Sequence, residues 1–535
     1  MGILGEGDSS LNRDRPVGIV QLSTLQGRRT HPDEVLAPSS DEEYLAYRSL
    51  TDWREPYRIP PIYLQNTKVY IGPQFPDTPL IAFINAKSGG KVGPQVATIL
   101  FRSLGQSQVF DVTEHHPRDV LSALFKNLTE AEAKGDAEAA HIRKTLRILV
   151  AGGDGTVTWV LGTILELGLD PQPPVAVMPL GTGNDFSFNF GWGTKFEWSW
   201  VKAHHLYHTL ARYKDAECRP MDVWTAEITA PDSTYFDSMP HSLIQNSSNP
   251  KLACANFWNY FSVGLDAEAA YGFHHLRETH PGLASGRVVN QAWYSVFSCT
   301  SGWFCGAKPI ANKLKLRVRD TIGDGEWRDI LVPPSVRAVV LLNLQSYGGG
   351  RDIWGLAQTS TLEKKGFNDP IYDDGLIEVV GFHSGWHTAA VMGQLTKKIH
   401  GKRLAQCREV ELELIATEGK IKGERGTVYM QVDGEPWPQS IPAKMSARRR
   451  PAGAVETTGA EVVGSTPHEV EPLRVKVSSK SQSQVLVNGS DTLGTRYSKW
   501  VCERGLSLER NREILLAGEG ISTTNGKKGT RVAVL

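Results

Sequence analysis

The stretch Leu80-Ile81-Ala82-Phe83-Ile84-Asn85-Ala86-Lys87-Ser88-Gly89-Gly90 joins a short apolar run to a glycine loop. Consecutive apolar and β-branched residues followed by turn formers are typical of a buried β-strand that ends in a loop. Similar strand patterns occur at residues 108–112, 147–151 and 175–178, and helical patterns separate them at residues 119–144 and 157–167. Strands that alternate with helices at these intervals predict a parallel sheet with crossover helices.

A second region with a different pattern follows. Residues 230–251 are rich in Pro, Ser and Asn, which predicts a linker or an insertion loop. Beyond it, residues 313–318 and 409–414 alternate polar and apolar side chains, as antiparallel strands with one solvated face do. Further strands are predicted at residues 336–344, 376–382 and 428–432, and a helix at residues 388–399.

These patterns divide the chain of 535 residues into segments. We expect an N-terminal extended arm at 1–78, an α/β domain at 79–228, a linker at 229–251, a second, β-rich and mostly antiparallel domain at 252–440, and a low-periodicity tail at 441–535. The tail has more basic than acidic residues, which suits a disordered, solvated segment or one attracted weakly to an anionic membrane surface.

Composition excludes several classes of protein. Lys and Arg total 58, as do Asp and Glu, so there is no cationic surplus of the kind that binds nucleic acid. The apolar runs are much shorter than the roughly 18 residues of a membrane-spanning helix, and the first residues do not resemble a secretory signal. The six cysteines include no C-x-x-C pair, so we expect no zinc module. A cytoplasmic protein is predicted.

Three glycine loops, each after a predicted strand, carry most of the chemical signal. They are Asn85-Ala86-Lys87-Ser88-Gly89-Gly90, Gly152-Gly153-Asp154-Gly155-Thr156 and Leu180-Gly181-Thr182-Gly183-Asn184-Asp185. Glycines at the carboxyl ends of strands let backbone N–H groups approach phosphate oxygens, and Thr156 is a suitable cap for a helix from Val157. Neither G-x-x-x-x-G-K-[ST] nor G-x-G-x-x-G is present, which disfavours a P-loop enzyme and a protein kinase fold.

Carboxylates in and near these loops indicate a cation or a base. Asp154 and Asp185 would repel phosphate unless Mg²⁺ lay between them or one of them took up a proton, although each could also be a turn residue that caps its own backbone. Asp373 and Asp374 are adjacent at the start of a strand, where like charges raise one pKa and favour a general base. A plain hairpin turn is the alternative there. Val432-Asp433-Gly434-Glu435 could likewise be either a hairpin or the edge of a site.

Longer strings resemble the eukaryotic diacylglycerol kinases, in particular the compact plant-type members without cysteine-rich fingers. The string at residues 174–185 with Gly191-Trp192-Gly193 resembles the catalytic domain of that family. The strings at residues 259–267, 273–281, 343–355 and 431–437 resemble its accessory domain. The Gly-Gly-Asp-Gly-Thr loop is shared with NAD kinases and phosphofructokinases, so it indicates the larger class and not the substrate. Ala86 departs from the family, which usually has proline there, and this predicts a looser first loop.

The resemblance implies an ATP site and a lipid acceptor. Residues at matching positions that would hold the ATP phosphates are Asn85, Ser88, Gly89, Gly152, Gly153, Asp154, Gly155 and Thr156. Thr182, Gly183 and Asn184 would close the nucleotide site. Asp154 and Asp185 would bind Mg²⁺. Asp374 would be the general base for attack by the diacylglycerol hydroxyl, with Asp154 as the alternative, and the product would be phosphatidic acid.

Since diacylglycerol lies in a bilayer, the resemblance also implies peripheral docking on a membrane surface. Trp192, Trp198, Trp200 and the segment 293–303 could supply interfacial aromatic side chains, and burial in the core is the alternative for each. Other functions stay open. They are a sphingoid-base or other lipid kinase of the same superfamily, a soluble NAD kinase, and a nonenzymatic lipid or nucleotide sensor with the same fold.

Overall fold

The computed structural model describes the two predicted domains and part of each flanking segment. The described residues are 56–65, 75–89, 92–105, 107–237, 239–279, 309–323, 325–355, 362–383, 400–419, 425–445 and 470–488. The predicted helix at residues 388–399 lies outside them, as does the Trp-containing segment 293–303.

Twenty strands and eight α-helices are formed by the described residues. The strands are β1 Leu80–Ile84, β2 Val109–Asp111, β3 Arg147–Gly152, β4 Val175–Pro179, β5 Glu217–Thr229, β6 Ile244–Gln245, β7 Leu252–Phe257, β8 Tyr260–Gly264, β9 Leu314–Arg319, β10 Arg328–Ile330, β11 Ala338–Leu342, β12 Ser346–Tyr347, β13 Arg351–Asp352, β14 Ile377–Phe382, β15 Lys402–Cys407, β16 Glu409–Leu414, β17 Ala416–Gly419, β18 Arg425–Val432, β19 Glu435–Met445 and β20 Leu473–Val487. The helices are α1 Pro61–Gln65, α2 Val92–Leu104, α3 Pro117–Glu132, α4 Ala137–Thr145, α5 Asp154–Glu166, α6 Asp185–Asn189, α7 Ala203–Asp215 and α8 Leu265–Thr279.

The α/β domain contains the predicted parallel strands in the order β4-β3-β1-β2. All the residues of β1 and β4 are buried, which explains their continuous apolar runs. The chain passes from β1 outward to β2 but from β3 in the opposite direction to β4. The carboxyl ends of β1 and β3 therefore flank a topological switch point, where open α/β sheets bind their ligands.

The predicted helix at residues 119–144 is two helices, α3 and α4. Gly135 lies between them with φ of 87°, a left-handed conformation that glycine adopts without steric cost. Asp136 then caps α4, because its carboxylate accepts hydrogen bonds from the backbone N–H groups of Glu138 and Ala139.

The predicted second domain, residues 252–440 and called the accessory region below, has the predicted antiparallel strands. Its main sheet has the order β15-β14-β11-β8-β18-β19-β17, and β14, β11, β8, β18 and β19 pair antiparallel. β9 and β16, the two strands predicted from alternation, instead extend the sheet of the α/β domain, which has eleven strands among the described residues. The segment predicted as a linker contains the short strand β6, which pairs with β7.

Part of the predicted C-terminal tail is a strand of that large sheet, which corrects the expectation of disorder for residues 473–487. β20 pairs along its length with β5, pairs antiparallel with β16, and lies parallel to β4 through Val485 and Val175. Leu473, Val475 and Val477 alternate with polar residues and are fully buried. β20 thus covers the edge of β4, which would otherwise expose unpaired backbone groups.

Part of the predicted N-terminal arm also belongs to the folded body. Tyr57, Ile59 and Tyr63 are buried in the core of the α/β domain. The Gln108 side chain bonds the backbone of Tyr57 and Ile59, and the Tyr63 hydroxyl donates to Asp136 at 2.7 Å. The domain therefore begins before residue 79. Among the described residues, no helix combines the length and the apolar character that crossing a bilayer requires.

Candidate active site

The three predicted glycine loops meet at the carboxyl ends of β1, β3 and β4. Asn85 donates from its side-chain amide to the Thr156 hydroxyl at 3.1 Å, which joins the first loop to the second. A Cβ on Gly89 would lie 3.1 Å from the backbone oxygen of Leu180, so the first loop also touches the third. The structure thus brings together most of the residues predicted to bind nucleotide.

Gly153, not Thr156, caps helix α5, which begins at Asp154. Thr156 is buried in the first helical turn, and a Cβ on Gly152 would lie 2.7 Å from its side chain. Gly155 is exposed on the same turn, and no atom of the described residues lies within 4 Å of the position that its Cβ would occupy. Among the described residues, none therefore blocks the positive end of α5 over Gly155, as an anion site requires.

Asp154 lies at this helix terminus and is held by the next one. Its carboxylate accepts a hydrogen bond from the backbone N–H of Phe186 at 3.2 Å, in the first turn of α6. Burial, and next the negative charge of Asp185, raise the pKa of Asp154 to about 7. A carboxylate that is this reluctant to ionise fits a bound cation or a proton-transfer role.

Asn184 has a structural task in the third loop, and its predicted part in closing the nucleotide site stays a prediction. Its side chain is 2% exposed, accepts a hydrogen bond from the N–H of Gly181, and donates to the carbonyl oxygens of Gly181 and Thr194. Asn184 also adopts φ of 58°, which asparagine tolerates better than most residues. Thr182 stays exposed at the loop tip, and a Cβ on Gly183 would lie 2.8 Å from the Asp154 carboxylate.

Asp185 directs its carboxylate into the accessory region. It is 3% exposed and accepts hydrogen bonds from the Ser346 hydroxyl and from the backbone N–H groups of Gly349 and Gly350. Asp154 and Asp185 are neighbours as predicted, but protein donors already surround the second carboxylate.

A third carboxylate, that of Asp433, completes this group. Asp433 and Gly434 both have positive φ, 46° and 87°, which makes them the turn between β18 and β19. The half-buried Asp433 carboxylate accepts backbone hydrogen bonds from Trp258, Asn259 and Tyr260. Burial raises the pKa of Asp433 to about 6, and the charge of Asp185 adds to this. The predicted hairpin turn is therefore present, and its place at the edge of a ligand site stays a prediction.

Asp374 belongs to a neighbouring acidic cluster with Asp222 and Glu378. One Asp374 carboxylate oxygen accepts the backbone N–H of Leu376 at 2.9 Å, while Asp222 accepts the N–H of Gly375 at 2.6 Å. Burial first, then the charges of Asp222 and Asp373, raise the pKa of Asp374 to about 7. Burial and the charge of Asp374 raise the pKa of Glu378 well above its ordinary value.

Asp222 gave no signal in the sequence because it lies in the middle of β5 without a motif. Its partners come from distant segments: Gly375 follows the Asp373-Asp374 turn, and Gln482 of β20 donates to the second carboxylate oxygen at 2.9 Å. Asp222 thereby links the C-terminal strand to the turn that carries Asp374.

A cleft of about 930 Å³ opens beside Gly155 and Asp433. Helix α5 forms one wall with Trp159, which is 37% exposed, and Trp258 of the accessory region and Ile244 of β6 line the other. His116 packs edge-on against Trp159 at 4.9 Å between ring centroids. The volume lies in the range of sites that enclose small ligands.

The residues present fit ATP and Mg²⁺. No described residue fills the anion site at Gly155, and the negative charge of Asp185 acts on the carboxyl groups of both Asp154 and Asp433. Among the described residues, no group of three or more acidic, His or Cys side chains is arranged to hold a metal ion by itself. Mg²⁺ commonly binds one or two carboxylates together with substrate phosphates, and Asp154 can supply such a carboxylate.

The predicted tryptophans divide between core and surface. Trp192 and Trp200 are 3% and 7% exposed, so they are core residues, whereas Trp198 is 42% exposed. Of these three, Trp198 is thus the one that could contact a membrane.

Comparison with known proteins agrees with this architecture. The diacylglycerol kinase catalytic domain matches residues 79–214, and the diacylglycerol kinase accessory domain matches residues 256–436. Diacylglycerol kinase 4 of Arabidopsis thaliana is 41% identical over 391 residues, which cover 68% of this chain and 78% of that protein. Diacylglycerol kinase 3 of Arabidopsis thaliana is 40% identical, covering 69% and 78%, and diacylglycerol kinase 1 of Oryza sativa subsp. japonica is 35% identical, covering 69% and 76%. The chain therefore belongs to the diacylglycerol kinase family.

Proposed function

We propose that this protein transfers the γ-phosphoryl group of ATP to the free primary hydroxyl of diacylglycerol, giving phosphatidic acid and ADP. One observation carries the proposal: three glycine loops converge at the switch point of the sheet, with Asp154 at the positive end of α5. Family membership favours diacylglycerol over other acceptors, because both the catalytic and the accessory domain match.

The phosphates of ATP would lie over the first turn of α5. Gly153 and Gly155 keep that approach free of side chains, and Asn85 and Thr156 hold the first two loops together. From there the nucleoside can extend into the cleft, where Trp159 offers an exposed aromatic face. Donors fixed in this way stabilise the charge that develops on the phosphoryl oxygens.

Asp154 would hold Mg²⁺ against the phosphates. When bound, Mg²⁺ neutralises charge on the β- and γ-phosphate oxygens and orients the γ-phosphate for in-line attack. Asp154 also lies against Gly183, so the absence of a side chain at residue 183 leaves room beside the carboxylate.

Asp374 is the proposed general base, with Asp154 as the alternative. The pKa of Asp374, raised by burial to about 7, suits a group that takes a proton from an alcohol near neutral pH. The proton would move from the primary hydroxyl to the Asp374 carboxylate as the oxygen attacks phosphorus. If Asp374→Asn keeps near-normal turnover while Asp154→Asn is inactive, the base is not Asp374.

The protein must bind diacylglycerol at a membrane surface, because this lipid lies in a bilayer. We propose peripheral docking from the cytoplasmic side, for which the exposed Trp198 is one candidate contact.

An acceptor panel tests the proposed function. Labelled ATP and Mg²⁺ would be supplied with diacylglycerol or sphingosine in mixed micelles, and with NAD⁺ in solution. Label in phosphatidic acid alone is the expected result. Label in sphingosine phosphate or NADP⁺ would support the proposed nucleotide site but contradict diacylglycerol as the acceptor. Label in none of the acceptors would favour a nonenzymatic sensor.

A further inference from the structure

The Asp185 carboxylate is bound by a single loop of the accessory region. One of its oxygens accepts the Ser346 hydroxyl and the backbone N–H groups of Gly349 and Gly350, the latter two at 2.9 Å each. The other oxygen lies 3.1 Å from the Gly349 nitrogen. One loop of five residues thus makes four contacts with this carboxylate. Hydrogen bonds to an ionised group are stronger than hydrogen bonds between neutral groups, so the loop binds the carboxylate firmly.

The backbone of the loop is shaped for this task. Gly348, Gly349 and Gly350 have φ of 57°, 100° and 91°, a run of left-handed conformations that side chains other than glycine disfavour. Consecutive N–H groups in such a turn converge on an anion. Here the anion is the carboxylate of another segment of the same chain.

The loop is anchored at its start within the accessory region. The Tyr347 hydroxyl donates to the buried Asp266 carboxylate at 3.0 Å. Ser262 and Gln431 donate to the same oxygen at 2.6 and 2.8 Å. The loop therefore has a fixed position relative to β8, α8 and β18.

Asp185 connects this anchored loop to the nucleotide site. The backbone N–H of the next residue, Phe186, donates to the Asp154 carboxylate at 3.2 Å. The first turn of α6 thus holds the accessory loop through the Asp185 side chain and holds Asp154 through the Phe186 backbone. A shift of the loop would move the first turn of α6 and, with it, the orientation of Asp154.

We propose that Asp185 is a positioning residue that latches the accessory loop 346–350 to the nucleotide site, and that it is not a ligand of Mg²⁺. The inference rests on the proposed function, because it assigns the part that Asp185 plays in phosphoryl transfer. It replaces the prediction that Asp154 and Asp185 both bind the metal.

The test compares Asp185→Asn, Ser346→Ala and the double variant. The control is Ser335→Ala. It removes the hydroxyl of another serine in the accessory region, which is hydrogen-bonded to His383 and takes no part in the latch. In wild type and each variant we would measure kcat, the Mg²⁺ concentration for half-maximal rate, and hydrogen exchange of the amides at residues 346–351. Exchange is measured without substrates.

A latch predicts a specific combination of results. Asp185→Asn should lower kcat by roughly tenfold to hundredfold through misplacement of Asp154, with the Mg²⁺ requirement changed by less than about twofold. The Gly349 and Gly350 amides should exchange at least roughly tenfold faster. Ser346→Ala should shift both quantities in the same direction, and the double variant should be little worse than Asp185→Asn, because both changes break one contact.

A direct metal ligand predicts the opposite combination. The proposal is overturned if Asp185→Asn raises the Mg²⁺ requirement about tenfold while the two glycine amides stay protected, or if Ser346→Ala behaves like Ser335→Ala in both readouts. If no acceptor were phosphorylated, the proposed function would have failed. The latch would still be tested by hydrogen exchange and by calorimetric measurement of Mg²⁺ and ATP binding, because neither needs an acceptor. If Asp185→Asn did not fold, Ser346→Ala would decide alone.

Discussion

Gly153 and Gly181 pack against each other backbone to backbone. A Cβ added to Gly181 would lie 2.5 Å from the Cα of Gly153, and one added to Gly153 would lie 3.1 Å from the Cα of Gly181. Leu180 also donates its N–H to the carbonyl of Gly152 at 2.9 Å. The second and third loops are therefore one rigid unit, and the glycines serve contact between the loops as well as access for a ligand.

A pair of glycine variants separates these two roles. Gly181→Ala forces the methyl into backbone atoms and should lower the free energy of unfolding by about 1–3 kcal/mol. The methyl of Gly155→Ala meets no atom of the described residues. It should therefore leave the free energy of unfolding within about 0.5 kcal/mol of wild type but raise KM for ATP, because the methyl occupies the proposed phosphate position. Thermal unfolding and ATP kinetics check both. An unchanged KM in Gly155→Ala would place the phosphates elsewhere.

The cleft is tested with a matched pair of tryptophans. Trp159 lines it and is 37% exposed, whereas Trp198 is 42% exposed and does not line it. Trp159→Ala should raise KM for ATP by roughly fivefold, since an aromatic contact contributes about 1 kcal/mol. Trp198→Ala should leave KM for ATP unchanged. Equal effects of the two variants would argue against the nucleoside occupying this cleft.

Activity and stability should respond to pH in opposite directions through Asp374. The base works ionised, so the rate should rise as pH increases through about 7. The folded-state pKa lies above the ordinary 3.8, so the folded protein binds the proton more tightly, and this contribution to stability is lost as pH rises from about 4 to about 7.

Asp374→Asn removes that charge, and we expect it to raise the melting temperature at pH 8 while turnover is lost. Melting curves and turnover at pH 5 and pH 8 check this, with Lys126→Gln on the exposed face of α3 as the control. A lower melting temperature at pH 8 in Asp374→Asn would mean that the ionised carboxylate stabilises the fold.

The C-terminal strand should be indispensable although it lies beyond both matched domains. A chain that ends at His468 loses β20, which pairs with β5 and β16 and supplies Gln482 to Asp222 and Ser483 to the Trp258 indole. We expect it to lose cooperative unfolding and turnover, whereas a chain that ends at Ser490 keeps β20. Circular dichroism melts of both check this, and a cooperative, active chain ending at His468 would contradict it.

Local patterns in the sequence predicted the parallel strands and the glycine loops. Leu80–Ile84 is apolar throughout because both faces of β1 are covered, and each loop carries its glycines where backbones meet. Leu473, Val475 and Val477 do alternate with polar residues, but this short pattern lies in a polar segment and did not predict β20. Long-range pairing with β5 and β16 stabilises that strand, and a local pattern does not show such pairing.

Long-range contacts also decide which groups the predicted site residues touch. Asn184 and Asp185 belong to a motif that suggests ligand binding, yet one closes its own loop and the other holds the loop at Gly349. Asp222 has no motif at all, because its role arises from Gly375 and Gln482, which are distant in the chain. Sequence patterns thus predicted which loops meet, but not the contacts of each side chain.

The most direct measurement is transfer of label from γ-labelled ATP to diacylglycerol by wild type and by Gly153→Asp. This substitution places a carboxylate at the cap of α5, where the phosphates are expected, and ATP binding would be measured for both proteins alongside transfer. The account predicts labelled phosphatidic acid with wild type, and neither product nor ATP binding with a folded Gly153→Asp. Transfer undiminished in Gly153→Asp, or none with wild type, would contradict it.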